Sequence, residues 1–324
     1  MSSKKESSSL VKALDFVALA QKDKGAPYQT HVALGRNKAV AYDGVLSAGH
    51  SIEEDLVACP HTHTLLSALK KCSGALSVTQ LDSGKLSIKS GKFRSYVPCL
   101  PDASLPGIYP DPRVGILNNS IRDGLALLSP FIVENSQRVV TASALLRSGS
   151  VLATNGQVLL EYWHGIDLPP GLIVPKLFIN ALCRINKDIV AFGYSESTFT
   201  VYFNDDSWLK TQLYNERWPN CDDILARPHK SQPLPSGFFE ALDTILSFIE
   251  DGRVRIRDGR LQTHQDHGVG ANYEVDGLQA NVVFNAKHLK LLDGVIKTID
   301  FTGNNGVSFF YGDNIRGALT QMRE

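Results

Sequence analysis

One pattern of apolar and polar positions occurs three times along the chain. In each copy, a short apolar run typical of a strand leads into a proline or asparagine, and residues with amphipathic helical spacing follow. The three copies are about 110 residues apart, at Leu56–Lys71, Leu172–Lys187 and Val282–Lys297. A repeat of this length is a domain rather than a solenoid unit, so the pattern predicts three related domains.

Each copy is flanked by further elements of the same kinds. Apolar residues at helical spacing predict an earlier helix in each domain, at Leu10–Gln21, Ile121–Glu134 and Gly237–Glu250. Alternating residues with Gly, Asn and Asp turns predict antiparallel strands, at Val151–Trp163 and Val254–Thr263 between the helices and at Ala75–Val97, Ile189–Leu213 and Ile299–Leu319 after them. Every repeat is therefore helix, strands, helix, strands.

Two proline-rich stretches, Pro98–Pro112 and Pro228–Pro235, separate the repeats. Prolines of this kind are typical of connections between domains. The predicted fold class is α+β, with three two-helix plus antiparallel-sheet domains at residues 1–112, 113–229 and 230–324.

Composition narrows the class of protein further. Of the 324 residues, 43% are hydrophobic, which excludes a wholly disordered chain, and 33 Lys and Arg balance 33 Asp and Glu, which excludes a globally basic one. No apolar run approaches a membrane span of about 20 residues, and Lys12 and Asp15 interrupt any signal peptide. The five cysteines are odd in number and widely spaced, so reduced thiols and a cytoplasmic setting are expected.

The second helix of each predicted domain carries basic residues on one polar face, without an acidic residue among them. The three faces are His63, Ser67, Lys70 and Lys71; Lys176, Asn180, Arg184 and Lys187; and Lys287, Lys290, Gly294 and Lys297. One such face alone is usually an ordinary solvated surface. Three related faces in a chain of zero net charge favour contact with phosphates instead.

Enzyme motifs are weak. His61 and His63 could bind a metal, and so could His264 and His267 beside Asp266. The sequence shows no further residue that would clearly complete either site. The acidic pairs beginning at Asp205 and Asp222 fall in contexts typical of solvated turns, and the chain has neither a P-loop nor a G-x-S-x-G motif. We therefore expect no catalytic activity, no metal and no cofactor.

Four segments, in order, resemble the bacterial DNA sliding clamp, the beta subunit of DNA polymerase III. Val57–Pro101 resembles the end of that family's first domain, above all in KLSIKSGKFRSYVPCLP. VLATNGQVLL at Val151–Leu160 resembles A-T-D-G-H-R-L-A, and KTQLYNERWPNCDDIL at Lys210–Leu225 resembles S-x-L-x-x-G-x-F-P-D-Y-x-x-x-L-P. LTQMRE at Leu319–Glu324 resembles V-M-P-M-R-L. The resemblance covers nearly the whole chain, and a clamp this small and divergent looks like a phage-encoded one.

This resemblance implies a ring of two chains, closed head to tail, with helices lining a hole through which duplex DNA passes. Phosphate contacts would hold the DNA without reading its sequence. The residues expected to face DNA include Arg138, in a loop where the family touches DNA, and cations of the first helices. The full set is Lys12, Lys22, His63, Lys70, Lys71, Arg122, Arg138, Lys176, Arg184, Lys187, Lys287, Lys290 and Lys297.

The resemblance also implies two protein contacts. The dimer interface would use Tyr96 and Val97 of one chain against Ile245 and Leu246 of the other, although the last two could equally be intradomain core. A pocket for partner peptides, serving a DNA polymerase and a clamp loader, would be lined by Thr154, Gly156, Val158, Leu159, Pro228, Leu319, Met322 and Arg323. Alternatively, Val158 and Leu159 are simply strand core, and the last residues only complete a sheet.

The chain departs from the family pattern in this pocket, which suggests a different peptide preference. The departures are Asn155, Gln157 and Val158 in place of Asp, His and Arg, Thr320 and Gln321 in place of Met and Pro, and Glu324 in place of Leu. They keep a second hypothesis open, a clamp-like adaptor that recruits partners without encircling DNA. A hydrolase or nuclease is a third hypothesis, supported only by the weak acidic and histidine clusters.

Overall fold

A computed structural model describes residues 9–101, 106–266 and 268–324. Within these residues, no helix is long and apolar enough to cross a membrane. The chain packs into two compact units: unit 1 comprises Met1–Arg122 and Leu177–Asn215, and unit 2 comprises Asp123–Lys176 and Glu216–Glu324. Each unit thus combines one end of the chain with part of the predicted second domain, and the division into three domains at residues 112 and 229 stays a prediction.

Unit 1 is built on a seven-stranded antiparallel sheet and a four-stranded sheet. The strands of the larger sheet, in spatial order, are β1 (Ala33–Gly35), β2 (Lys38–Tyr42), β3 (Leu46–Ser51), β15 (Trp208–Gln212), β14 (Thr198–Phe203), β13 (Ile189–Tyr194) and β8 (Arg113–Ile116). Those of the smaller sheet are β4 (Cys59–Pro60), β7 (Phe93–Leu100), β6 (Lys85–Ser90) and β5 (Ser77–Gln80). Its helices are α1 (Ser9–Val17), α2 (Pro27–Thr30), α3 (Thr62–Lys70) and most of α5 (Lys176–Arg184).

The first helix forms for the reason that its sequence indicates. Leu10, Leu14 and Val17 of α1 recur at helical spacing, and each is fully buried. The α1 helix packs on α3 and β3, so its apolar stripe closes the core of unit 1. A single 3₁₀ turn at Ala18–Ala20 extends it, which places the predicted helix Leu10–Gln21 correctly.

In unit 1, the pairing of β3 with β15 joins strands from the first and second predicted domains. Gly49 of β3 lies opposite Trp208 of β15. A side chain at Gly49 would meet the indole ring at 2.3 Å, so only glycine allows the two strands to pair at this point.

Unit 2 repeats this arrangement with an eight-stranded and a four-stranded antiparallel sheet. The larger sheet runs β12 (Leu172–Pro175), β9 (Ser143–Arg147), β10 (Ser150–Thr154), β11 (Val158–Trp163), β23 (Ile315–Thr320), β22 (Val307–Tyr311), β21 (Thr298–Ile299) and β16 (Gln232–Pro233). The smaller sheet runs β19 (Asn272–Glu274), β18 (Arg260–Gln262), β17 (Arg253–Arg257) and β20 (Val282–Asn285). Its helices are α6 (Asp222–Leu225), α7 (Phe238–Leu246), α8 (Ala286–Lys290) and, from Asp123 onward, α4 (Ser120–Leu128), with 3₁₀ turns at Ser129–Phe131 and Val139–Thr141.

Two of the predicted helices end before the last basic residue of the polar face that was predicted for them. The α8 helix stops at Lys290, and Gly294 has the left-handed φ of +71° that typically follows a helix end, so Lys297 lies outside the helix. The α5 helix stops at Arg184. Beyond it, the carbonyl oxygens of Ile185 and Lys187 accept hydrogen bonds from Arg122 instead of continuing a helical ladder. Each predicted basic face is therefore continuous only up to the end of its helix. Lys187 lies beyond the end of α5, and Lys297 lies beyond the end of α8.

Candidate peptide pocket and nucleic-acid interface

An open cavity of about 330 Å³ lies within unit 2, against β10, β11 and β23. Four of the residues predicted for a peptide pocket line it: Thr154, Gly156, Val158 and Leu159. The other lining residues are Arg138, Val140, Thr141, Gln157, Pro219, Asn220, Cys221, Ile224, Val307, Ala318 and Thr320. The lining combines apolar residues such as Leu159, Ile224 and Val307 with polar ones such as Arg138 and Asn220, which suits an extended peptide anchored by apolar side chains.

The turn between β10 and β11 is held by its own side chains. The Asn155 carboxamide oxygen accepts hydrogen bonds from the amides of Gln157 and Val158, at 2.9 and 2.8 Å. The Thr154 hydroxyl accepts from the Gly156 amide at 3.0 Å and donates to the carbonyl of Val158 at 2.7 Å. Gly156 has a φ of +89°, which favours glycine. Asn155 thus supplies the acceptor that holds this turn.

A second wall of the cavity, formed by Pro219–Ile224, was not among the predicted pocket residues. Cys221 of this wall and Leu225, the residue that follows the wall, pack with Leu152, Leu159 and Ala318 in one buried cluster, which places α6 against the sheet. Burial raises the pKa of the Cys221 thiol. The segment Lys210–Leu225 resembles the clamp family, and that resemblance was the available signal for this wall.

The remaining four predicted pocket residues do not line the cavity. Leu319 is fully buried, because successive residues of a strand point to opposite faces and its neighbours Ala318 and Thr320 face the cavity. The Met322 amide donates to the carbonyl of Val283 at 2.7 Å, which places this residue beside β20. Pro228 and Arg323 are exposed elsewhere in unit 2. The strand-core alternative also holds in part, since Val158 is fully buried and Leu159 is 7% exposed.

Five of the residues predicted to face DNA are paired with an acidic residue from another segment. Lys70 contacts Asp15 at 2.8 Å, Lys187 contacts Asp205 at 2.6 Å, and Lys290 contacts Asp293 at 2.8 Å as well as Asp243. His63 lies 3.5 Å from Asp23, and Lys297 pairs with Asp313. The expectation that these faces carry no acid is wrong for Lys290, because Asp293 follows it three residues later in the same segment. The fold brings the other acids from distant parts of the chain.

The Lys187 pair is the most strongly held of these contacts. The Lys187 ammonium also lies 4.2 Å from the centre of the Phe16 ring, in a cation–π contact. Burial would raise the pKa of Asp205, but hydrogen bonds from Lys187 and Ser207 outweigh it and lower that pKa to about 2. Lys187 therefore has a structural role in unit 1.

Two further predicted cations bind backbone carbonyls. Arg122 donates to the carbonyl oxygens of Ile185 and Lys187, at 2.6 and 2.8 Å. Lys176 donates to the carbonyl of Ile132 at 2.6 Å. Both side chains are half-buried, so they are less accessible to phosphate than the sequence indicates.

Six of the predicted cations remain open. Within the part of the chain that the structure describes, none of them forms an ion pair, and all are exposed: Lys12, Lys22, Lys71, Arg138, Arg184 and Lys287. Arg138 also lies at the rim of the cavity. These six, called the open cations below, are the most accessible candidates for phosphate contact.

The predicted interface residues divide by burial. Tyr96 is 52% exposed and Leu246 is half-buried, but Val97 and Ile245 are core residues of their own units. Alternation along β7 explains Val97, and helical spacing along α7 explains Ile245. Phe248, which is 59% exposed just after α7, was not among the predicted interface residues.

Residues of the two candidate metal sites either have a structural role or lie outside the described residues. The Nδ1 atom of His61 accepts a hydrogen bond from the Thr64 amide and so caps α3. His267 lies outside the described residues. Among the residues that are described, no group of three or more His, Cys, Asp or Glu could hold a metal ion. Asp205 pairs with Lys187, and Asp222 pairs with Arg147.

Comparison with solved structures identifies the fold. The chain is similar to the DNA polymerase III subunit beta from Pseudomonas aeruginosa, with a TM-score of 0.81, 16% identity and 98% of both chains covered. It is similar to the beta subunit from DNA polymerase of Streptococcus pyogenes, with a TM-score of 0.82, 13% identity, and 97% of this chain and 98% of that chain covered.

A third similar structure is the Helicobacter pylori beta clamp bound to DNA ligase peptide, with a TM-score of 0.78, 13% identity, and 97% of this chain and 98% of that chain covered. No protein-family model matches the chain, and no curated protein matches it either. The chain therefore has the fold of the bacterial sliding clamps, which confirms the predicted fold class.

Proposed function

We propose that the protein is a DNA sliding clamp, a processivity factor that encircles duplex DNA and tethers a replicative polymerase. The observation that carries the proposal is the match to a beta clamp over 98% of this chain and 98% of that chain. A processivity factor must hold DNA without stopping at any sequence, and exposed Lys and Arg side chains provide such contacts. The open cations supply this chemistry.

The proposed assembly is a homodimeric ring of three domains per chain. Residues 93–98 of β7 pair with β6 on one side, and in the described part of the chain no strand pairs with their other edge. An unpaired edge of this kind is available to a second chain, and ring closure would cover it. Exposed Tyr96 lies on this edge, and Leu246 and Phe248 would supply apolar contacts from the partner's third domain.

The proposed partners are a DNA polymerase, which would bind through a peptide in the cavity, and a clamp loader, which would open the ring. The DNA ligase peptide bound to the Helicobacter pylori clamp supports peptide binding as a property of this fold. The half-buried apolar residues Val140, Ile224 and Val307 would anchor the peptide, and the β10–β11 turn would shape one end of the groove. Peptide binding in the cavity and phosphate contacts at the open cations require no catalysis, so we propose no enzymatic activity.

A clamp-like adaptor that does not encircle DNA is the second candidate function. The observation that favours it is the loss of free cations: Lys70, Lys187, Lys290 and Lys297 are already paired with acids. An adaptor would keep the cavity and would need neither ring closure nor phosphate contacts.

The molecular mass in solution tests the proposed ring. A ring requires more than one chain, so light scattering at micromolar concentration is expected to give about twice the chain mass of 35.4 kDa. Replacing Leu246 and Phe248 with glutamate should give folded monomers. A wild-type protein that is monomeric at this concentration would contradict the ring and leave the adaptor.

A further inference from the structure

A buried carboxylate holds two arginines together in unit 2. Glu161 of β11 is 1% exposed, and its two oxygens accept hydrogen bonds from Arg147 of β9 and Arg316 of β23. The Ser150 hydroxyl donates to the same carboxylate at 2.7 Å. Burial would raise the pKa of Glu161, but the bonds from Ser150, Arg147 and Arg316 outweigh it and lower that pKa. The carboxylate is thus a charged anchor that fixes the Arg147 side chain.

The same Arg147 guanidinium reaches from the sheet to α6. Its two terminal nitrogens each donate to one oxygen of Asp222, both at 2.9 Å. This two-pronged geometry is the strongest common form of an Arg–carboxylate contact. Asp222 is the first residue of α6, and its neighbours Cys221 and Ile224 line the cavity.

A single four-residue turn such as α6 cannot maintain itself without outside contacts. On the buried side of α6, Cys221 and Leu225 pack against apolar residues of the sheet. The bond from Arg147 holds the exposed side, where Asp222 is 57% accessible and would otherwise face water.

We propose that Arg147 and Asp222 are positioning residues for the cavity, with Glu161 as their buried anchor: the pair fixes α6, and thereby the wall formed by Cys221 and Ile224. Only the identity of the bound peptide rests on the proposed clamp function. The position of the wall is a property of the free protein and can be measured without a ligand.

Cys221 reports the position of this wall. Its side chain is 7% exposed, so alkylation requires α6 to move away from the sheet. Cys59, which is 4% exposed in unit 1, serves as an internal control for unfolding of the whole chain. Peptide-level mass spectrometry after treatment with iodoacetamide gives the rate at each cysteine separately.

The test compares Asp222→Asn with Asp223→Asn. Asp223 is the matched control, since it is the next residue of α6 and accepts a hydrogen bond from Asn220 but forms no ion pair within the described chain. We expect Asp222→Asn to raise the alkylation rate of Cys221 by about tenfold while the rate at Cys59 stays unchanged. Asp222→Glu, which keeps the charge, should restore slow alkylation, whereas general loss of stability would not be reversed in this way.

A Cys221 rate in Asp222→Asn within about twofold of that in Asp223→Asn would overturn the proposal, because the wall would then be held by its apolar contacts alone. If Asp222→Asn also accelerates Cys59, Arg147→Lys decides the question. Lysine keeps the charge beside Glu161 but cannot form the two-pronged bond, so it should accelerate Cys221 alone; no acceleration would reject the pair. If Asp222→Asn accelerates alkylation of Cys221 but the protein does not encircle DNA, the clamp function is rejected and the positioning role of the pair is retained.

Discussion

The cavity of unit 2 and the open cations differ in how much their side chains also contribute to the fold. Val158 and Leu159 line the cavity from strand positions that are almost completely buried. Lys71, Arg184 and Lys287 are exposed at or near helix ends and contact no acid within the residues described. Changes in the cavity should therefore reduce both stability and partner binding, whereas changes at the open cations should reduce DNA binding alone.

The largest effect that separates the two regions is on stability. Leu159→Ala removes a side chain that packs with Leu152, Cys221 and Ala318, so the free energy of unfolding should fall by about 2–5 kcal/mol. Lys71→Gln should change it by less than about 0.5 kcal/mol, since the side chain is exposed. Urea denaturation of the two variants measures the difference. Equal losses would remove the distinction between the regions.

The next effect concerns the salt dependence of DNA binding, which should differ between the open cations and the cations that are paired with acids. Replacing the open cations Lys71, Arg184 and Lys287 with glutamine should reduce the slope of log affinity against log salt by about 0.9 for each lost phosphate contact. The matched variant replaces Lys70, Lys290 and Lys297, which are already paired with acids. It should change the slope less, as measured with duplexes of unrelated sequence. A larger change in the paired set would show that DNA displaces these acids.

Releasing a paired cation should strengthen DNA binding modestly. Asp243→Asn combined with Asp293→Asn removes both acids from Lys290, so its ammonium becomes available to phosphate. We expect a gain of a few-fold in affinity at low salt, which salt should suppress. Asp276→Asn with Glu250→Gln makes the same change in net charge at residues without ion pairs in the described chain. An equal gain in that control would mean that net charge alone is responsible.

The smallest effect concerns pH. Because the pKa of Asp205 is lowered from 3.8 to about 2, its bonds to Lys187 and Ser207 stabilise the folded protein fully above 3.8 and lose that effect as the pH falls toward 2. Below pH 3.8, the difference in melting temperature between wild type and Asp205→Asn should therefore shrink as the pH falls toward 2. A difference that grows on acidification would contradict this assignment.

Local patterns predicted the helices and strands, and the family resemblance named four of the residues that line the cavity. Helical spacing identified α1, and alternation identified the β10–β11 hairpin that carries Thr154, Val158 and Leu159. These features depend on neighbours in sequence, which a single chain displays directly.

Features set by distant residues could not be predicted in this way. Asp15 lies 55 residues before Lys70, and Asp243 lies 47 residues before Lys290, so a helical face without acids gave no indication of either pair. The wall at Cys221 depends on packing between a single turn and four strands, β10, β11, β22 and β23. Leu319 shows a third limit, since a shift of one residue along a strand exchanges its two faces.

Retention on circular DNA tests the proposed encirclement most directly. The protein is diluted so that its chains separate, mixed with nicked circular DNA, concentrated to allow ring closure, and washed with high salt, which removes contacts that depend on charge alone. A sliding clamp should remain on the circle and leave it when a restriction enzyme linearises the DNA. Loss from circular and linear DNA alike in high salt, from a protein shown to be dimeric, would contradict encirclement and favour the adaptor.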